Sequence, residues 1–190
     1  AGGDDGYWQS GNFSSTSLTL RTGSAPTNYS AWMRFTGLSA LHGTTIFSAT
    51  ITAIAAATGS AAAAFTVRAR AANNPAAPTS EVEAAGGARH ATSVSWPAVP
   101  AFTAGTAYTT PDLTALIQAL VTDGYLASGV VLIYIESTGS GGTREFASYE
   151  NTTYAEAQLT VEYGTAAEIN PALLSVTPTL YGPSLTEILQ

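Results

Sequence analysis

Short runs in which apolar and polar side chains alternate with a period of two constrain this chain more than any other feature. In residues 63–73, Phe65, Val67 and Ala69 alternate with threonine and arginine. Successive side chains of a strand point to opposite faces, so this pattern is typical of a strand with one buried face. Other strand-like runs occupy residues 17–23, 30–38, 44–58, 92–97, 143–150 and 157–164.

Three further segments are read from composition rather than from alternation. Residues 129–137 are almost continuously apolar, which predicts a strand buried on both faces. Pro97 cannot donate to a strand ladder, so the run that it ends is predicted to be an edge strand or a strand end. Residues 73–91 have the Pro, Asn and Gly punctuation of a long loop, and residues 1–6 are predicted to form a loose arm.

One helix is marked between residues 110 and 124. Thr110 is the predicted N-cap, Pro111 takes the first helical position, and Asp112 lies where the helix dipole favours an anion. Gly124 is the predicted end of the helix. The apolar stripe at helical spacing consists of Leu113, Leu116, Ile117, Leu120 and Val121.

Eight or nine short strands with turn signals and one short helix predict an all-β fold. The expected architecture is an antiparallel, jelly-roll-like β-sandwich over residues 1–163, with the helix closing one end. Residues 164–190 are predicted to be a separate, extended C-terminal arm.

Composition excludes several classes of function. The net charge is −7, lysine is absent, and all six basic residues are arginines, which argues against binding to nucleic-acid phosphates or to anionic membranes. The absence of cysteine excludes disulfides, thiolate catalysis and zinc–thiolate sites. The apolar stretch 45–65 is not predicted to cross a membrane, because polar residues interrupt it and Ile46, Ser48 and Thr50 alternate as in a strand.

The C-terminal arm combines prolines at positions 171, 178 and 183 with many large apolar side chains. Proline at this density prevents a helix or a central strand, yet the segment is too apolar for a solvated linker. We expect it to dock on another surface, such as another subunit; the alternative is that it wraps back on its own domain. The predicted partner-binding residues are Leu173, Leu174, Val176, Leu180, Tyr181, Leu185, Ile188 and Leu189.

The order of five motifs resembles the DNRLRE-type β-sandwich domains, which overlap a family of carbohydrate-binding modules. The motifs are an aromatic-Arg-Phe strand, a Gly- and Ile-containing strand, a Trp before a proline-containing loop, an Asp-initiated helix and a closing hairpin. They lie at residues 32–35, 43–51, 96–100, 112–114 and 146–150. The resemblance covers roughly residues 5 to 163 and departs at Thr36, where those domains usually have aspartate. It implies a β-sandwich and, as one alternative, glycan recognition.

The arm has a second resemblance. Its "INPALLSVTPTLYGPSLT" is similar to segments common in structural proteins of tailed bacteriophages. Together the two resemblances imply a non-enzymatic virion component, either a head decoration or a tail- or fibre-associated protein, on the surface of the particle. The expected partners are other capsid or tail proteins, with homo-oligomer or lattice formation.

Glycosidases use a pair of carboxylates, and five glutamates are candidates for such a pair. They are Glu136, Glu145, Glu150, Glu156 and Glu162. Glu145 and Glu162 occupy outward strand positions, so solvated carboxylates that discourage edge pairing are the preferred interpretation, and no catalytic residue is predicted. His42 and His90 are expected on the surface. Adjacent Asp4 and Asp5 suggest calcium only weakly, so no cofactor is predicted.

Aromatic side chains offer the remaining candidates. A ring that stacks on sugar has to be exposed and flat. Trp32 lies in an alternating strand and Trp96 lies beside a proline, so both are expected in the core or at its rim. Tyr7 and Trp8, next to the glycine-rich start, are the predicted contacts with a glycan or a neighbouring protein.

Overall fold

The computed structural model describes residues 4–23 and 28–164, apart from the side chain of Ser140. Two α-helices occur in these ranges, α1 (Glu81–Gly86) and α2 (Thr114–Thr122). The strands in the same ranges are β1 (Asp5–Gln9), β2 (Asn12–Ser14), β3 (Thr19–Thr22), β4 (Ser30–Phe35), β5 (Thr45–Ile54), β6 (Ala63–Ala69), β7 (Val94–Val99), β8 (Ala107–Thr109), β9 (Val131–Gly141), β10 (Arg144–Ala147) and β11 (Gln158–Gly164).

The strands form two facing layers. One layer is a six-stranded sheet with the order β2-β1-β4-β9-β6-β7. The other layer combines the sheet β11-β5-β8 with the pair β10-β3, and a bridge between Ala55 and Phe146 joins β10 to the end of β5. The pairs between these strands are antiparallel. The prediction of an all-β antiparallel sandwich is therefore confirmed.

The main core fills the space between the layers. Phe65 and Val67 of β6, Ile133 of β9 and Ile51 of β5 are at most 1% exposed and belong to one apolar cluster. In β6 the buried residues alternate with half-buried ones, as the period-two pattern predicts. Because full burial of such a side chain contributes roughly 1.5–3 kcal/mol, the alternating strands account for much of the cohesion between the layers.

Strand β9 is buried on both faces, as its continuous apolar run predicts. Its outward residues Leu132 and Tyr134 join Trp32 in a second apolar cluster on the outer side of the six-stranded sheet. Ala84 of α1 covers this cluster, and the guanidinium of Arg89 lies 3.5 Å from the centroid of the Tyr134 ring. The outer face of the central strand is thus shielded by a helix and a cation–π contact rather than by a third sheet.

Helix α2 has the predicted apolar face but starts later than predicted. Thr110 is not its N-cap, because the Thr110 hydroxyl accepts a hydrogen bond from Ile51 N at 3.0 Å. Thr110 directly follows β8 and continues the pairing of that strand with β5. Asp112 Oδ1 instead accepts from Thr114 N at 2.9 Å, which satisfies an amide of the first turn. Gly124 follows the helix with a φ of 75°, as expected for a residue that ends it. The buried residues of the helix are Leu116, Ile117, Leu120 and Val121.

The predicted loop at residues 73–91 contains a helix. Ser80 is the N-cap of α1, and its hydroxyl accepts a hydrogen bond from Glu83 N at 3.3 Å. The Glu83 carboxylate accepts from Thr79 N at 2.7 Å, which holds the pKa of Glu83 below its usual value. Serine followed three residues later by glutamate is a helix-start signal that the Pro and Gly content of the segment conceals.

The N-terminal segment is also more ordered than predicted. Asp5–Gln9 forms β1, which lies between β2 and β4 in the six-stranded sheet. The expected loose arm is therefore wrong from Asp5 onward, while residues 1–3 lie outside the described residues.

Strand β5 breaks its alternation at one position. Glu162 of β11 lies opposite Ser48, but Tyr163 lies opposite Ile46, so Phe47 is an extra residue in β5. Ile46 is buried and Phe47 is 55% exposed. Strict alternation predicts that Ile46 and Ser48 lie on the same face of the strand. The bulge at Phe47 changes this, so that the Ile46 side chain points inward and the Phe47 side chain points outward.

Strand β11 ends at Gly164, next to the predicted domain boundary at residue 163. The predicted arm and its eight apolar residues, from Leu173 to Leu189, lie outside the described residues. Within the described ranges, none of the helices is long and apolar enough to cross a membrane.

Candidate functional site

The two aromatic residues that the sequence offers for an outside contact are buried. Tyr7 and Trp8 of β1 are each 8% exposed. Trp8 packs edge-on against Tyr134 with ring centroids 5.6 Å apart, and Tyr7 packs edge-on against Tyr29 at 5.7 Å. Neither ring is open to a sugar or a neighbouring protein in this conformation, which corrects the expectation that both are exposed.

Strand β11 presents a free edge. It pairs with β5 over Gln158–Gly164, and its other edge forms no strand pair with any described residue. A free edge carries unpaired N–H and C=O groups that can accept an additional strand. The described chain ends on this strand, so residues 165–190 continue directly from it.

The other sheet edges in the described ranges are protected from pairing with another strand, because they are short or contain proline. Strands β2 and β8 have three residues each, and β3 has four. Strand β7 has six residues but contains Pro97. These are common ways to prevent pairing with other chains, whereas the seven-residue edge of β11 has neither device. The structure thus leaves β11 as the edge best suited to accept a partner.

The outer face of the sheet β11-β5-β8 is neutral and rich in threonine. Thr52 lies opposite Gln158 of β11 and Thr109 of β8, and its hydroxyl is 3.0 Å from that of Thr109. Thr160 lies opposite Thr50 in the same way. Among the residues of these three strands, only Glu162 is charged. A face of short hydroxyl side chains suits close packing against another neutral surface.

Phe47 is the large apolar side chain exposed on β5. The bulge beside Glu162 turns it away from the core, and more than half of its surface is accessible. Bulges that re-aim a side chain are frequent at functional surfaces. Phe47 is therefore a candidate contact that the period-two pattern could not reveal.

A buried carboxyl, Asp5, beside the half-buried Glu150 is the second candidate site. Asp5 faces inward from β1, is 7% exposed, and its Oδ2 accepts a hydrogen bond from Tyr149 N at 2.9 Å. Burial raises the pKa of Asp5 from 3.8 to about 7, the Tyr149 amide opposes this, and the negative charge of Glu150 adds to it. The neutral, protonated form of the Asp5 carboxyl is therefore favoured up to a pH near its raised pKa of about 7.

Asp5 also lines a small cavity. The cavity, about 200 Å³ in volume, is lined by Asp4, Asp5, Arg34, Glu156 and neighbouring residues of β4. Arg34 donates to Asp4 Oδ1 at 2.9 Å, so its charge is already engaged. Within the described ranges, no three His, Asp or Glu side chains are placed to hold a metal ion, and the weak suggestion of calcium at Asp4 and Asp5 gains no support.

The other glutamates have different surroundings. Glu145 forms an ion pair with Arg21 at 3.3 Å across β10 and β3, and Glu136 forms one with Arg89 at 2.8 Å. Glu162 is exposed and accepts from the Ser48 hydroxyl at 2.9 Å, as expected for a solvated position. Glu150 lies in a turn that follows β10, and its negative charge acts on Asp5.

The two histidines differ. His42 is exposed, as predicted, whereas His90 is 7% exposed, so its predicted surface position is wrong. His90 Nε2 lies 2.8 Å from Asp123 Oδ2, and its Nδ1 accepts from Thr92 N at 3.0 Å. Both ring nitrogens are engaged in fixing the loop to the end of α2, which gives His90 a structural role.

No protein-family model matches the chain, and no curated protein matches it. The function proposed below is therefore inferred from the sequence and from the geometry of the described residues.

Proposed function

We propose that this chain is a non-enzymatic structural protein of a virus particle, a head decoration or a tail- or fibre-associated protein. In this proposal the sandwich is displayed on the particle, and the C-terminal arm anchors it to a neighbouring virion protein. The resemblance of the arm to segments of tailed-phage structural proteins is the reason for proposing a virus particle. The geometry of the domain supports attachment of the protein to that particle through the arm.

The observation that carries the proposal is that the described residues alone supply a large apolar core between the two layers. Its buried members all lie between Leu20 and Phe146, and the two layers fill the space between them with their own side chains. The sequence adds eight large apolar side chains between Leu173 and Leu189, and in this proposal another molecule covers them. Burial of such side chains on another molecule would contribute about 25 cal/mol per Å² of apolar surface, before the cost of ordering the arm.

The surface of the domain supports assembly with neighbours. The threonine-rich face of β11-β5-β8 has one charged residue, and Phe47 projects from it. Close packing in a lattice favours neutral faces with short side chains, because long charged side chains lose entropy and hydration when they are covered. Glycan binding, the alternative, loses its two candidate residues because Tyr7 and Trp8 are buried.

The experiment that tests the proposal compares the full chain with a chain that ends at Gly164. Both are added to particles depleted of the protein, and occupancy is measured by quantitative gel or cryo-electron microscopy. We expect equal thermal stability and a loss of binding for the shortened chain. A full chain carrying Glu187→Gln, a position outside the eight apolar residues, is the matched control and should bind normally. Full occupancy by the shortened chain would refute anchoring through the arm.

A further inference from the structure

We propose that the free edge of β11 accepts residues 172–177 from the arm of a second copy of this chain, as an added strand. This inference rests on the proposed function, in which the arm leaves its own domain, and it names both the acceptor surface and the partner. Backbone hydrogen bonds along the edge would supply the attachment, and alternate side chains would supply the specificity.

The acceptor edge is suited to strand addition in length and charge. It has seven residues, no proline, and Glu162 as its one charged side chain. Glu162 faces outward and is bonded to the Ser48 hydroxyl, so it does not occupy the edge itself. Leu159 and Val161 of β11 pack against the main core and remain partly exposed, which leaves apolar surface for an incoming strand to cover.

The incoming segment matches the edge in the sequence. Residues 172–177, "ALLSVT", form a run without proline or charge between Pro171 and Pro178. The even-numbered positions Ala172, Leu174 and Val176 give one apolar face to an extended strand. The other face contains the hydroxyls of Ser175 and Thr177 together with Leu173. The apolar face would continue the row of Leu159 and Val161, and the hydroxyl face would continue the threonine-rich surface.

The length of the arm permits exchange between copies. Residues 165–171 span roughly 25 Å when fully extended, enough to cross from the end of one β11 to the edge of an adjacent domain. Reciprocal exchange of arms gives two identical contacts, and a head-to-tail exchange gives a ring or a lattice. Both arrangements agree with a protein that covers a particle.

Cysteine cross-linking tests this directly, because the chain has no cysteine of its own. Chains carrying Thr160→Cys are mixed with chains carrying a single cysteine at position 173, 174, 175, 176 or 177, and disulfide formation is measured under mild oxidation. Thr160 faces outward, so the geometry predicts heterodimers chiefly with the one of positions 173, 175 and 177 that lies opposite it, and about fivefold fewer with positions 174 and 176. Cross-links at all five positions with equal yield would indicate a loose association and would overturn the inference.

A second arrangement separates exchange from folding within one chain. With Thr160→Cys and Ser175→Cys in the same chain, the inference predicts disulfide-linked dimers when the protein is oxidised at assembly concentrations, and few of them when it is diluted before oxidation. A cross-linked monomer that persists at every dilution would show that each arm covers its own β11. Failure of cross-linking combined with loss of particle binding by the shortened chain would refute this inference and leave the proposed function intact.

Discussion

Replacement of Asp5 by asparagine should make the protein more stable at neutral and alkaline pH. Asp5 is 7% exposed and its pKa is raised from 3.8 to about 7, so the folded protein holds a proton there that the unfolded chain releases above pH 4. The free energy of unfolding therefore falls as the pH rises from about 4 to 7, by about 1.4 kcal/mol per pH unit, and this contribution is constant above pH 7. Three pH units give an upper limit of about 4 kcal/mol, which local relaxation would reduce to about 2–4 kcal/mol.

Asparagine keeps the neutral state at every pH. Its carbonyl oxygen can accept from Tyr149 N, as Asp5 does, and its amide can donate toward Glu150. Urea unfolding at pH 4, 6 and 8 measures the effect, with Glu162→Gln as a control that removes an exposed carboxylate. Asp5→Asn should equal the wild type near pH 4 and exceed it by about 2–4 kcal/mol at pH 8. Parallel pH profiles for the two proteins, or a less stable variant at pH 8, would refute the assignment of the buried proton.

Three further substitutions test the packing. Arg144→Met should lower the free energy of unfolding, measured in urea, by about 3 kcal/mol. Arg144 is 1% exposed and donates to loop carbonyls, including Ala61 O at 2.8 Å and Pro100 O at 2.9 Å. A decrease of less than about 1 kcal/mol would contradict this role. Ser80→Ala should destabilise α1 by about 1 kcal/mol through loss of its N-cap, measured as faster amide exchange in residues 81–86, whereas Ser80→Asp should preserve protection. Trp8→Ala should lower the free energy of unfolding by about 3–5 kcal/mol, and an unchanged stability would show that Trp8 is not part of the second cluster.

The sequence predicts the fold class because period-two alternation depends on local geometry. Strand β6 alternates as expected, and β9 is buried on both faces as its apolar run requires. The same rule fails at Phe47, because a bulge depends on pairing with β11 and has no signal in β5 alone. Alternation therefore identifies strands but cannot identify the residue that a bulge turns outward.

The helix boundaries and the buried polar groups show a different limit. Thr110 and Ser80 are both good N-cap residues, but Thr110 bonds to β5 and Ser80 caps α1. Local propensity does not say which tertiary partner competes for a hydroxyl. Asp5 is buried against Tyr149, and His90 is buried against Asp123. Each partner is distant in the chain, and the sequence alone does not show which distant residues meet, so the burial of these polar side chains could not be predicted.

The central claim is that the apolar arm is covered by another molecule rather than by its own domain. The most direct measurement is hydrogen exchange of the full chain over residues 165–190, followed from dilute, monomeric protein to the assembled state. The account predicts fast exchange of the arm at dilution and slow exchange, strongest in residues 172–177, on assembly. Slow exchange of the arm in a chain that remains monomeric at every concentration would contradict it.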